Sequence, residues 1–415
     1  MVGVAVLVMS EGEEVSPLTK VGGMSLLKRA VLSVQKAGVT TCYLYVNHVT
    51  AALRHEVHDD ARVTSRIVWV SPNLDDPHIP EPLETEPSVV FSVTTIVRHP
   101  LLQTITQDAS AEKPTVFTDA SGDAVIALVP GAHVSTLLRE LRQGQRLADT
   151  SAIRGGDQQR LPQARSLFVH RLTPASRIAE VEQALLLSLE NPRDGQVDTY
   201  FNRKLSRPLT RWLLHTLLTP NQITLLSCMV GLVGALCFFP GGYWGPVLGA
   251  VFLQFSVVLD CCDGEVARVK FLESPFGDVL DIVCDTLVTI AIFVGMGVAV
   301  WQDGASSHAL PLASMLVLGG CLAFPLVTLA EKTEAVGDRR GGWEDSLMKR
   351  LIASLTTRDV SIVIFASALT GNLLWFLWGA AIGAQIFWLV LLWLLWRAGR
   401  LQHWRQGVEV KDEEV

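Results

Sequence analysis

From Asp260 the chain reads Asp-Cys-Cys-Asp-Gly-Glu-Val-Ala-Arg; eight residues later it resumes as Gly-Asp-Val-Leu-Asp-Ile-Val-Cys-Asp, from Gly277 to Asp285. The acids Asp260, Asp263, Asp281 and Asp285 recur at three- and four-residue steps, so on helices each pair shares a face. Gly264, Ala267, Arg268 and Gly277 fall among them. The stretch lies where two strongly apolar segments meet. A carboxylate inside a membrane segment is costly, so four of them together point to function. Helix packing through small residues with stray interfacial acids would not require eight constrained positions between Asp260 and Asp285.

The apolar surplus is unevenly spread. The chain has 415 residues, 49% hydrophobic and 18% charged, with a mean hydropathy of +0.34, high for a soluble protein. Residues 1–190 read as a soluble α/β domain, 191–218 as a juxtamembrane interfacial helix, 219–400 as a membrane domain and 401–415 as a polar tail. No basic tract interleaved with aromatics lies outside the membrane flank, which speaks against nucleic acid as a partner. The seven cysteines show no zinc spacing with histidine and read as small buried hydrophobes of a reducing compartment. The run Val2 to Met9 is short and leads into Glu11, Glu13 and Glu14, so it reads as a strand, not a secretory signal.

In the soluble part, Val4–Met9, Cys42–Val46, Arg66–Val70, Ser88–Val93, Thr115–Thr118 and Ala124–Val129 have strand length and composition. Leu26–Ala37 and Val134–Arg142 have helical periodicity. Alternation of this kind predicts an α/β, Rossmann-like layer fold with a mostly parallel sheet. The opening resembles the sugar-phosphate nucleotidyltransferases: Leu18-Thr19-Lys20-Val21-Gly22-Gly23-Met24-Ser25-Leu26-Leu27 is similar to the second part of their nucleotide-loop pattern. The first part departs. Ser10-Glu11-Gly12-Glu13-Glu14 stands where a Gly-rich basic loop would hold a triphosphate, and acids do not suit that anion. Thr94-Thr95 stands where the resemblance would put a metal-binding aspartate. The domain is therefore expected to be a degenerate nucleotidyltransferase, with Lys20 a surface lysine.

At the joint, Arg203, Lys204, Arg207 and Arg211 interleave with Phe201, Leu205, Leu209, Trp212 and Leu213. That pattern suits a helix lying in the membrane surface with its cations toward headgroups. Pro208 is expected to bend it. Thr219-Pro220-Asn221 caps the first spanning helix. Six apolar segments follow, at about 221–239, 243–260, 278–301, 309–330, 360–379 and 381–397, each near the ~20 residues a bilayer core requires. The last two are expected to form a hairpin about Gly379 to Gly383. The connection from Glu331 to Asp359 carries Lys332, Arg339, Arg340, Lys349, Arg350 and Arg358, and the tail carries Arg397, Arg400 and Arg405. With basic loops inside, both termini and the acidic stretch face the cytoplasm, in a multi-pass protein of the inner (cytoplasmic) membrane.

Four carboxylates converging in a small volume repel unless cations lie between them. Hard oxygen ligands suit Mg²⁺ or Mn²⁺, and two divalent ions can clamp a pyrophosphate during displacement at phosphorus. The small side chains of Gly264, Ala267 and Gly277 leave room for a flat group, and Arg268 offers a fixed charge for a phosphate.

Asp-x2-Asp-Gly-x2-Ala-Arg-x8-Gly-x3-Asp-x3-Asp is the signature of the CDP-alcohol phosphotransferases, and this chain meets every position of it. The resemblance implies a six-helix, all-α membrane bundle, usually a homodimer, in which an acceptor hydroxyl attacks a CDP-linked donor and CMP leaves. It also implies metal ligation by Asp260, Asp263 and Asp281, with Asp285 completing the site and taking the hydroxyl proton. Gly264, Ala267, Arg268 and Gly277 would surround the cytidine and its phosphates. The two-part organisation resembles the bifunctional inositol-phosphate cytidylyltransferase/CDP-inositol:inositol-phosphate transferases. That likeness offers CDP-diacylglycerol or a CDP-inositol-like compound as donor and an alcohol such as inositol phosphate as acceptor. Arg358 is the candidate for the acceptor phosphate; a positive-inside anchor is its plainer role. Two other readings stay open: an enzyme that also makes its own CDP-alcohol, and a non-catalytic membrane scaffold.

Overall fold

A computed structural model describes residues 2–9, 15–46, 48–70, 83, 85–107, 113–119, 123–143, 145, 147–161, 167–189, 201–336, 347 and 360–397. The chain divides into two compact units. One is Met1–Asn191 with the short segments Leu214–Thr216 and Arg268–Phe271; the other is Pro192–Leu213, Leu217–Ala267 and Leu272–Val415.

The strands of the first unit are β1 (Val4–Met9), β2 (Lys20–Val21), β3 (Met24–Ser25), β4 (Thr41–Val46), β5 (Arg66–Val70), β6 (Ser88–Ser92), β7 (Thr95–Val97), β8 (Thr115–Thr118), β9 (Ala124–Val129), β10 (Asp157–Arg160) and β11 (Val169–Arg171). Seven of them form one sheet in the order β10-β8-β9-β6-β1-β4-β5. β1 runs parallel to β4, with Val4 opposite Thr41, and parallel to β6, with Val4 opposite Ser88. The β4–β5 and β8–β10 pairs are also parallel, while β9 is antiparallel to both its neighbours. Every residue of β1 is buried, as a continuous apolar run covered on both faces should be. Among the described residues the unit also has helices α1 (Leu26–Lys36), α2 (Ala51–His58), α3 (His99–Gln107), α4 (Gly131–Arg142), α5 (Ser151–Arg154) and α6 (Ile178–Leu187). Ser25 caps α1 by accepting from the Lys28 N–H.

Gly22 and Gly23, with φ of +59° and +75°, make the turn between β2 and β3, a two-residue hairpin that demands left-handed backbone. The Gly22 N–H donates to Glu182 Oε1 at 2.8 Å. Thr94 and Thr95 are both buried, and Thr94 Oγ1 lies 2.8 Å from Ser92 Oγ. Hydroxyls that satisfy one another occupy this position. Among the described residues, no acidic group able to share an ion lies in this unit. The acids Glu11, Glu13 and Glu14 lie outside the described residues.

The second unit opens with α7 (Arg203–Leu214) and continues with α8 (Pro220–Phe238), α9 (Trp244–Lys270), α10 (Pro275–Gln302), α11 (Ala309–Val336), α12 (Val360–Leu369) and α13 (Leu373–Arg397). α7 runs on through Pro208 without ending. Pro208 and Lys204, whose carbonyl loses its partner, are both exposed, where water can replace the lost bond. Thr219 caps α8 in a reciprocal capping box with Gln222.

Five described helices, α8 to α11 and α13, are long and apolar enough to cross a membrane; α12 is a shorter apolar helix of 10 residues. The expected turn about Gly379 to Gly383 is corrected: both glycines lie inside α13, and the chain turns at Thr370–Asn372. Gly371 there has φ +69°, and the Asn372 N–H reaches back to the Ser367 carbonyl at 2.8 Å, a left-handed helix cap. α9, at 27 residues, is about 40 Å long, more than the ~30 Å of a bilayer core. α8 packs closely on its neighbours because a Cβ on Gly231 would come within 2.6 Å of Val288 and one on Gly234 within 3.0 Å of the Gly249 carbonyl.

Candidate active site

Asp260 and Asp263 lie near the C-terminal end of α9, both buried. Asp281 and Asp285 lie on the second and third turns of α10. One carboxylate oxygen from each of Asp260, Asp281 and Asp285 falls within 4.8 Å of the others. The spacing produces this: Asp281 and Asp285 are one turn apart on α10, and the short link Phe271–Ser274 folds α10 back beside α9. Asp263 takes a different partner. Its Oδ2 accepts from Thr224 Oγ1 of α8 at 2.5 Å. Three of the four acids thus form one cluster, and the fourth is held at its side by a hydroxyl.

Asp281 Oδ1 is buried and accepts no hydrogen bond. A buried acceptor left in that state is expensive, and three carboxyl groups this close repel when ionised. A hard divalent cation answers both problems, so the donor set fits such an ion.

Gly264 and Ala267 are half-buried and follow Asp260 by four and seven residues, on the same face of α9. Arg268 is the next residue, also half-buried. Gly277 is in the first turn of α10, where its N–H donates to the cap Ser274 Oγ at 3.0 Å. A Cβ on Gly277 would stand 3.1 Å from Asn221 Oδ1 and 3.2 Å from Ser274 Oγ; a side chain there would press on both. Arg358 lies outside the described residues.

Two features escaped the sequence reading. Asn221 and Thr224, one turn apart on α8, bring polar atoms to Gly277 and Asp263. Their signal was a polar pair just inside a capped helix start. The second is Glu265, with no exposed surface at all. Its carboxylate accepts from Arg203 Nη1 at 2.9 Å, Ser206 Oγ at 3.2 Å and Thr210 Oγ1 at 2.5 Å, all from α7. The expectation that Arg203 faces headgroups is corrected here: Arg203 is buried and neutralises Glu265, since a buried acid requires a partner. The exposed face of α7 carries Leu205 and Trp212, and Phe201, just before the helix, is exposed as well.

Parts of this chain are similar to known proteins. The CDP-alcohol phosphatidyltransferase family model matches residues 217–410. The chain is 34% identical over 167 residues to the phosphatidylinositol phosphate synthase of Mycolicibacterium smegmatis, covering 39% of this chain and 71% of that protein. It is 39% identical over 98 residues to the bifunctional IPC transferase and DIPP synthase of Aquifex aeolicus, covering 24% of this chain and 22% of that one. Among solved structures, the phosphatidylinositol phosphate synthase of Mycobacterium tuberculosis with CDP-DAG bound is similar at 24% identity and a TM-score of 0.33, covering 46% of this chain and 94% of that chain. Three acids brought together on long apolar helices form a group that could hold a metal ion. The chain belongs to the CDP-alcohol phosphatidyltransferase family.

Proposed function

We propose that this protein moves a substituted phosphate from a CDP-linked donor to an acceptor hydroxyl and releases CMP. The observation that carries the reading is the convergence of Asp260, Asp281 and Asp285. Asp260, Asp263, Asp281 and Asp285 hold two divalent ions, Mg²⁺ or Mn²⁺. When bound, these ions offset the charge of the donor pyrophosphate and of the oxygen that leaves with CMP. Gly264, Ala267 and Gly277 let the donor lie against α9 and α10, and Arg268 meets its phosphate charge. Asp285 takes the proton of the acceptor hydroxyl as that oxygen bonds to the β-phosphorus. The bond between the β-phosphorus and the CMP oxygen breaks with its electron pair going to CMP, so the step balances without oxidant or reductant.

The name phosphatidylinositol phosphate synthase carried by relatives supports CDP-diacylglycerol as donor and inositol phosphate as acceptor; Arg358 as a further contact to the acceptor phosphate rests on the resemblance to the inositol-phosphate-using enzymes alone. Residues 1–190 form a nucleotidyltransferase-like domain that has lost transfer chemistry, 191–218 an interfacial helix, 219–400 a six-helix catalytic domain and 401–415 a tail. The exposed Phe201, Leu205 and Trp212 suit contact with acyl chains. The protein is a multi-pass homodimer of the cytoplasmic membrane with its termini and site in the cytoplasm. The bifunctional reading draws support from the Aquifex relative.

The test is CMP release by the purified full chain with Mg²⁺ or Mn²⁺, CDP-diacylglycerol or CDP-inositol as donor, and inositol phosphate among the acceptors. Release that requires CDP-diacylglycerol, metal and inositol phosphate together is expected. No release with any donor would refute the proposal.

A further inference from the structure

α9 has two polar faces. Asp260, Asp263, Gly264 and Ala267 follow one another at helical spacing on the first. Glu265 stands two residues beyond Asp263, about 200° round the helix, and belongs to the second. Between Gln254 and Glu265 that second face is bonded to α7 and to Asn202 just before it. Gln254 Nε2 donates to Asn202 Oδ1, just before α7, at 2.6 Å. Cys262 Sγ lies 3.6 Å from the Ser206 carbonyl. Glu265 takes Arg203, Ser206 and Thr210. These bonds are spread over twelve residues of α9, from Gln254 to Glu265, so they fix both its rotation and its height against α7.

We propose that Glu265 is a positioning residue: bound by Arg203, Ser206 and Thr210, it sets α9 in the one rotation that turns Asp260 and Asp263 toward the cation site. The inference rests on the reading of the aspartates as metal ligands. A buried ion pair adds little stability over a well-packed apolar pair. What it adds is a single register, because a rotated helix would strand the Glu265 charge in an apolar setting. A few degrees of rotation of α9 move Asp260 away from Asp281, and a cation site tolerates little of that.

The test is direct Mn²⁺ binding, read by electron paramagnetic resonance on the full chain in detergent, with size-exclusion profile as the check of folding. Glu265→Ala is expected to raise the Mn²⁺ dissociation constant on the order of tenfold. Glu265→Gln, which keeps the shape and the hydroxyl bonds, recovers most of that loss. Equal loss in both variants would trace the effect to the charge's field and overturn the positioning role, as would an unchanged constant in folded Glu265→Ala. Where Glu265→Ala does not fold, Thr210→Val decides, since it removes one bond and leaves the ion pair. Weaker Mn²⁺ binding in that variant supports the inference, and unchanged binding overturns it. Asp281→Asn separates the two levels. If it binds Mn²⁺ like the wild type, the metal reading fails and takes this inference with it. If Asp281→Asn loses Mn²⁺ while Glu265→Ala does not, the positioning role alone fails.

Discussion

Asp281 Oδ1 sits buried with no hydrogen bond beside two other carboxyl groups, a state that is costly without a cation and reasonable with one. Saturating Mn²⁺ is therefore expected to raise the melting temperature of the wild type and to leave that of Asp281→Asn unchanged, because only a ligand bound to the native state stabilises it. Differential scanning fluorimetry in detergent reads both. CMP release by Asp281→Asn should fall on the order of a hundredfold or more, since even residues behind the ligands cost up to that much. Thr224→Val takes the donor from Asp263 Oδ2. A stability loss of about 1–3 kcal/mol by denaturant titration is expected. The shared faces of the aspartates were legible because three- and four-residue steps have one meaning on a helix; that Asp260, Asp281 and Asp285 converge while Asp263 takes another partner was not. Thr224 was not: a hydroxyl in an apolar helix more often bonds its own backbone, and only the fold brings Asp263, 39 residues away, to it.

At the scale of elements, local signals read well and distant partners did not. Six of the eleven described strands of the first unit were visible as runs of apolar or β-branched residues, and the α8 cap was visible in Thr219-Pro220-Asn221; the short strands β2, β3, β7 and β11 and the polar, exposed β10 were not. Arg203 was misread because its partner, Glu265, is 62 residues away and amphipathic spacing alone suggests headgroups. The last helix turn was misplaced because glycine was taken as punctuation, yet Gly379 and Gly383 have open space around them inside α13 and only Gly371 needs left-handed backbone. Gly371→Ala should destabilise by about 1 kcal/mol, whereas Gly383→Ala should be neutral or stabilising by up to about 1 kcal/mol. Unfolding of both variants in detergent measures the contrast. At the start of α3, burial, with Lys36 and Arg98 nearby, lowers the His99 pKa to about 4. The unfolded state, near 6.5, binds the proton more readily, so this contribution is whole above pH 6.5 and fades as pH falls toward 4. Hydrogen exchange of α3 in the full chain should rise over that window, and His99→Gln should flatten the dependence.

At the scale of the whole molecule, the two-part organisation was legible from the shift in hydropathy alone. The number of spans was less so: α12 is 10 described residues long, and the preceding segment with Arg358 lies outside the described residues. The first unit has a seven-stranded sheet and carries Thr94 and Thr95 where the resemblance to nucleotidyltransferases would put a metal-binding aspartate; on the proposal that it has lost transfer chemistry, no pyrophosphate release from CTP and inositol phosphate is expected of the full chain. The most direct measurement of the central claim is anomalous diffraction from crystals of the full chain grown with Mn²⁺. The account predicts manganese peaks bounded by Asp260, Asp281 and Asp285, absent from the Asp281→Asn variant; well-ordered carboxylates with no manganese among them would contradict it.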